Sequence, residues 1–134
     1  MDLSKLNYVA IVVATLSAFV LGGIWFSPLL FAKAWMEENG FKEEDLKGGN
    51  MAMIYGVAFI LTFVMAFNLA AFLAGPPDLL WGLTAGALAG IGWCACAFGI
   101  VYLFERKSMR LFLINGGYIA VMMIIMGGIL GIWK

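Results

Sequence analysis

The chain reads as an all-α integral membrane protein: four transmembrane helices in a compact bundle, with a short interfacial helix between spans one and two. Three observations predict this. Four stretches, Leu6 to Phe26, Met51 to Gly75, Leu79 to Phe104 and Leu111 to Trp133, contain no Asp, Glu, Lys, Arg or His. At about 1.5 Å per residue they reach roughly 30–40 Å, enough to cross a hydrocarbon core about 30 Å thick. Of the 134 residues 64% are hydrophobic and 12% charged, so four spans leave no room for a soluble domain. We therefore expect one membrane domain over residues 1–134, with spans at about 6–27, 51–75, 79–104 and 111–133.

The first span is too long for the apolar region of a secretory signal, has only Lys5 ahead of it and lacks a small-residue cleavage site, so it is expected to persist as a helix. It ends at Ser27 and Pro28, which have the N-cap and first-position chemistry of a new helix. Leu29, Leu30, Phe31, Trp35 and Met36 put apolar bulk on the segment that follows, and Gly40 closes it, as an interfacial helix requires. Residues Lys42 to Lys47 form a solvated charged turn before Gly48, Gly49 and Asn50 lead into span two. Pro76, Pro77 and Asp78 make a tight turn, so spans two and three form an antiparallel hairpin. Glu105 to Arg110 make a short basic turn, with Ser108 placed to cap span four.

Small residues recur every four positions, which aligns them on one helix face. The stripes are Ala10, Ala14, Ala18 and Gly22 in span one and Gly82, Gly86 and Gly90 in span three, with shorter versions at Ala66, Ala70 and Ala74 and at Gly127 and Gly131. In lipid the hydrophobic effect does not press helices together, so close backbone approach along such stripes is a principal source of association. They suit packing within the bundle or a subunit interface. Gly22 to Trp25 also resembles Gly90 to Trp93, as an ancestral two-helix duplication would.

Chemistry in a membrane protein resides in its buried polar groups, because each is costly without a partner. Asn68 lies toward one end of span two and Asn115 toward the opposite side of the membrane in span four, with Tyr118 one turn further on the same face. Trp25, Tyr55 and Trp93 fall at similar depths to Asn115, and Glu105 and Ser108 stand at that end. The candidate cluster is thus Trp25, Tyr55, Trp93, Glu105, Asn115 and Tyr118, either a small ligand pocket or interhelical hydrogen bonding joined to the interfacial aromatic belt.

Several chemistries lack their residues. There is no His, and no acid within a span, so an intramembrane proton relay or a His-acid metal site has no members. Cys94 and Cys96, two apart in a helix, face apart by roughly 200° and cannot bridge each other. Met122, Met123 and Met126 lack the repeated pattern of a copper(I) site. No catalytic residue, metal or cofactor is expected, and the scattered Lys and Arg give no nucleic-acid surface.

Two runs, Gly22 to Phe31 with Trp35 and Met36, and Glu105 to Ser108 with Leu111 to Tyr118 and Gly127, resemble domain of unknown function 1761. The resemblance covers nearly the whole chain and implies a small, four-span, mostly bacterial membrane protein, with no activity or catalytic residue to carry over. Phe26 stands where that family often has Tyr, which removes a hydroxyl from any shared pocket.

The expected role is a non-enzymatic packing protein in the bacterial inner membrane, partnered by the lipid bilayer and by its own copies or a larger membrane protein. A channel or permease for a small neutral solute is the first alternative, and a membrane-embedded enzyme the second. Orientation follows the Lys and Arg residues of the connections. Lys33, Lys42, Lys47, Arg106, Lys107 and Arg110 lie on one side against Lys5 and Lys134 on the other, which puts residues 28–50 in the cytoplasm and both termini outside. Reporter fusions after Lys134 should therefore read outside and those within Glu43 to Lys47 inside; an inside signal from the C-terminus would reverse this topology.

Overall fold

A computed structural model describes residues 2–134, and four of its helices are long and apolar enough to cross a membrane: Tyr8–Trp25, Met51–Phe72, Leu79–Glu105 and Met109–Ile132. We label the α segments α1 (Tyr8–Trp25), α2 (Ala32–Asn39), α3 (Met51–Phe72), α4 (Leu79–Ala89), α5 (Cys96–Glu105) and α6 (Met109–Ile132). Six residues in π-helical form, Gly90–Ala95, join α4 to α5 into one continuous span.

Each span opens on a side chain that caps it. Asn7 accepts from the Ala10 amide, Asn50 from Met53, Asp78 from Trp81 and Ser108 from Leu111. The first backbone N–H groups of a helix have no partner within it, and such a cap satisfies one at the point where the chain leaves water. The end of α1 differs from its expected form. Ser27 does not cap a new helix; its hydroxyl donates to the Ile24 carbonyl of the helix just finished, at 2.7 Å. Residues 28–31 form a turn, closed by the Phe31 amide on Trp25 O at 3.1 Å, and helix resumes only at Ala32. A hydroxyl near a helix C-terminus has a free carbonyl within reach, and Ser27 takes that instead of an amide ahead. Gly40 terminates α2 with φ 69°, a left-handed conformation that favours glycine.

Packing centres on α6, which touches α1, α2, α3, α4, the π segment and α5, whereas α4 packs almost wholly against α6. The α4–α6 seam is built from glycine. A Cβ placed on Gly82 would lie 2.2 Å from the Gly127 carbonyl oxygen, one on Gly86 2.2 Å from that of Met123, and one on Gly127 2.2 Å from that of Gly82. The two backbones are therefore in direct contact, and the seam ends in an interhelical hydrogen bond from the Asp78 amide to Gly131 O at 2.8 Å. At Gly90 the nearest atoms are the Met123 Cβ and Ala120 backbone, so all three stripe glycines of the third span face α6.

On its other side α6 meets α1 and the second half of α3. Ala10, Ile11, Ala14 and Ala18 of α1, Ala66, Leu69 and Ala70 of α3, and Met122, Met126 and Leu130 of α6 form a buried apolar core. Thr15 is fully buried there, and its hydroxyl is satisfied by donating to Ile11 O at 2.8 Å. Gly22 faces the Tyr118 ring.

The seam yields a paired expectation. Gly86→Ala forces atoms onto the α6 backbone, which cannot yield as a side chain would, and should lower stability by about 3 kcal/mol, the upper end of overpacking costs. Gly56→Ala in α3 meets open space and should be neutral or stabilise by up to about 1 kcal/mol. Thermal unfolding of the two variants in mild detergent should separate them; equal melting temperatures would refute backbone contact at the seam.

Candidate functional site

At the end of the bundle where α1 stops and α6 begins, three polar side chains cross between helices. The Trp25 indole Nε1 donates to Ile114 O at 2.9 Å, the Tyr118 hydroxyl donates to Ala18 O at 2.8 Å, and Asn115 Nδ2 donates to the Tyr102 hydroxyl at 2.8 Å. The first two tie α1 to α6 and the third ties α6 to α5. Aromatic rings continue the contact outward. Phe26 meets Tyr118 edge-on at 5.2 Å, Trp25 lies 4.9 Å from Phe31, and Trp35 lies 6.1 Å from Phe26 and 5.4 Å from Phe41. The turn after α1 folds back because these rings would otherwise stand unpacked at the membrane edge.

Charge holds α2 in place. Ser108, already the cap of α6, donates its hydroxyl to Glu38 Oε2 at 2.6 Å, and Arg110 Nη1 lies 3.4 Å from Glu37 and 3.5 Å from Glu38. The Glu38 carboxylate thus sits over the N-terminus of α6, where the helix dipole favours negative charge. The Arg110 pairs are largely exposed and contribute little by themselves.

The remaining candidates lie elsewhere. Trp93 is 76% exposed, Tyr55 is 58% exposed beside α1, and Glu105 is exposed at the end of α5. A π turn adds a residue to the helical register, so Trp93 does not occupy the environment of Trp25 despite their similar sequence settings. Tyr55 lies 6.4 Å from Phe19 of α1. Tyr102 and Glu38 are the partners that sequence reasoning missed. The signal available for Glu38 was the acidic pair 37–38 on the same membrane side as Arg110; Tyr102 carries only the signature of an interfacial aromatic, which does not point to Asn115 as its partner.

Two cavities exist. One of about 200 Å³ lies under α2, lined by Phe26, Ala32, Trp35, Met36 and Leu46. Its wall includes position 26, and its lining is predominantly apolar. The other, about 540 Å³, opens at the end carrying the termini, with Lys5, Asn7, Ala70, Trp133 and Lys134 in its lining. There the Lys134 ammonium donates to Leu73 O, just past the end of α3, where the helix dipole favours a cation. Partial burial lowers the Lys134 pKa from its ordinary value. Among the described residues no three His, Cys, Asp or Glu side chains come together, and no buried side-chain polar atom lacks a hydrogen-bond partner.

The Asn115–Tyr102 bond admits a direct test. Asn115→Leu should destabilise the fold and leave the Tyr102 hydroxyl unpaired, and adding Tyr102→Phe should recover part of the loss. A double-mutant cycle should give a coupling of about 0.6 to 1.7 kcal/mol, the range of interhelical hydrogen bonds in lipid. A coupling of zero would show that the pair does not hold α5 to α6.

No curated protein and no solved structure matches the chain. A family model described as "Protein of unknown function (DUF1761)" matches residues 9–131, which include all four membrane-crossing helices apart from the first residue of α1 and the last of α6. The chain belongs to the DUF1761 family.

Proposed function

We propose that this multi-pass protein is a non-catalytic assembly component of the bacterial inner membrane, working as a homo-oligomer or as a subunit beside a larger membrane protein. One observation carries it. In the most apolar windows of α3 and of the third span only 11% of residues are buried within the chain, against 44% in α6. Half of the transmembrane helices therefore spend most of their surface outside the fold, on faces available to other helices.

The polar cluster supports the same reading. Trp25, Asn115 and Tyr118 each donate to a group on another helix, which suits interhelical fastening better than a site that awaits a ligand. A permease built from one chain would need a polar path, and the interior is filled instead by Met122, Met126, Leu130 and the alanines of α1. The Lys and Arg bias supports a cytoplasmic position for residues 28–50.

Native mass spectrometry from nanodiscs tests this. A defined oligomer or a stoichiometric protein partner is the expected result. A monomer that retains a small solute would favour the permease reading instead.

A further inference from the structure

The exposed side of α3 carries a regular seam. Ile54, Val57, Leu61, Val64 and Asn68 follow one another at alternating steps of three and four, the seven-residue repeat with which two helices pack along a left-handed pair. At about 100° per residue this row lies opposite the buried Ala66, Leu69 and Ala70. The contacts to α1 use neither face of the seam: Tyr55 and Phe59 pack on Phe19, at 6.4 and 6.0 Å. Ile54, Val57, Leu61 and Val64 are 48–60% exposed, and Asn68 is exposed with them.

Asn68 is the exception among the Ser, Thr and Asn side chains within the described spans, since Thr15 and Ser17 donate to carbonyls of their own helix. Thr62 of α3 and Thr84 of α4 satisfy their hydroxyls on their own helices, donating to Ala58 O and Leu80 O at 2.7 and 2.8 Å. Asn115 reaches Tyr102. Among the described residues the Asn68 carboxamide has no hydrogen-bond partner, and it stands one turn inside the end of α3 on an apolar surface. A carboxamide on such a surface is costly until it is paired.

We propose that α3 pairs with α3 of a second copy about a two-fold axis along the membrane normal, with Asn68 hydrogen-bonded to its counterpart. Two copies of one chain insert in the same orientation, so this axis sets identical residues opposite each other at equal depth. A carboxamide is both donor and acceptor and is therefore complementary to itself. A single Asn in an otherwise apolar seven-residue repeat also fixes register and copy number. Ile54, Val57, Leu61, Val64 and Phe72, each 48–60% exposed, form a continuous apolar strip along α3 on which the ridges of one partner helix can seat. The inference rests on the proposed assembly role and narrows it to a symmetric dimer on one helix.

The test uses full-length protein in native membranes with Cys94→Ala and Cys96→Ala as background. Leu61→Cys and Val64→Cys should each form oxidative cross-linked dimers, and Leu88→Cys, equally exposed on the third span, should not. Asn68→Leu should weaken dimerisation about 3- to 30-fold, as expected for an interhelical polar pair in lipid, and Asn68→Gln should restore most of it. A dimer by native mass without seam cross-links, or a trimer, overturns the α3 pairing and leaves the assembly role standing. Cross-links at the seam with Asn68→Leu unchanged overturn the Asn68 pair. A monomer with no partner in native membranes overturns both.

Discussion

Direct backbone contact between the third and fourth spans is the constraint from which the rest of this architecture follows. In lipid a helix gains nothing from hiding apolar side chains, so it is held by the closeness of its packing. Gly82, Gly86, Gly127 and Gly131 remove the side chains that would keep α4 and α6 apart, and each backbone presses on the other. At that distance many weak dispersion and Cα–H···O contacts accumulate along several turns. A helix fastened so closely on one narrow face needs no second neighbour. The third span accordingly leans on α6 and leaves most of its remaining surface outside the fold.

With α4 on one side, α6 becomes the hub, and its other faces organise the remaining elements. Alanines on α1 and the second half of α3 pack around Met122, Met126 and Leu130, whose flexible side chains fill the irregular space between three helices. At the opposite end the contact is polar and aromatic. Trp25 and Tyr118 fasten α1 to α6, and Ser108 serves twice, as the cap of α6 and as a donor to Glu38 of α2. The bend after Trp25 is thereby held from three directions, by the Ser27 hydroxyl, the aromatic rings and the carboxylates of α2. α3 is the least covered partner along its first half, which places its seam residues on an open face.

The parts legible in the sequence are those governed by local chemistry. Absence of charge over some twenty residues identifies each span, and the cap Ser108 and the stop at Gly40 are local signals that tertiary structure has no reason to override. Asn115 and Tyr118 are three apart in α6 and so share a face, and each reaches a neighbouring helix. Trp93 and Tyr55 needed knowledge of rotation. The π turn at Gly90–Ala95 re-aims Trp93, and the exposed first half of α3 has Tyr55 beside Phe19 rather than with Asn115. The pairings of Tyr102 with Asn115 and of Glu38 with Ser108 are not legible, because the register between two different helices leaves no periodic trace in either one. Ser27 misled for a different reason: Ser before Pro signals a cap, yet a carbonyl behind it was the nearer partner.

Interhelical Cα–Cα proximity along the glycine seam tests the central claim most directly. Solid-state NMR on glycine-labelled protein in bilayers should give through-space correlations from Gly82 to Gly127 and Gly131, as backbone contact requires. If these resonances are assigned and no such correlations appear, the third span is held to the fourth by side chains, and glycine-to-glycine backbone contact is not what organises the bundle.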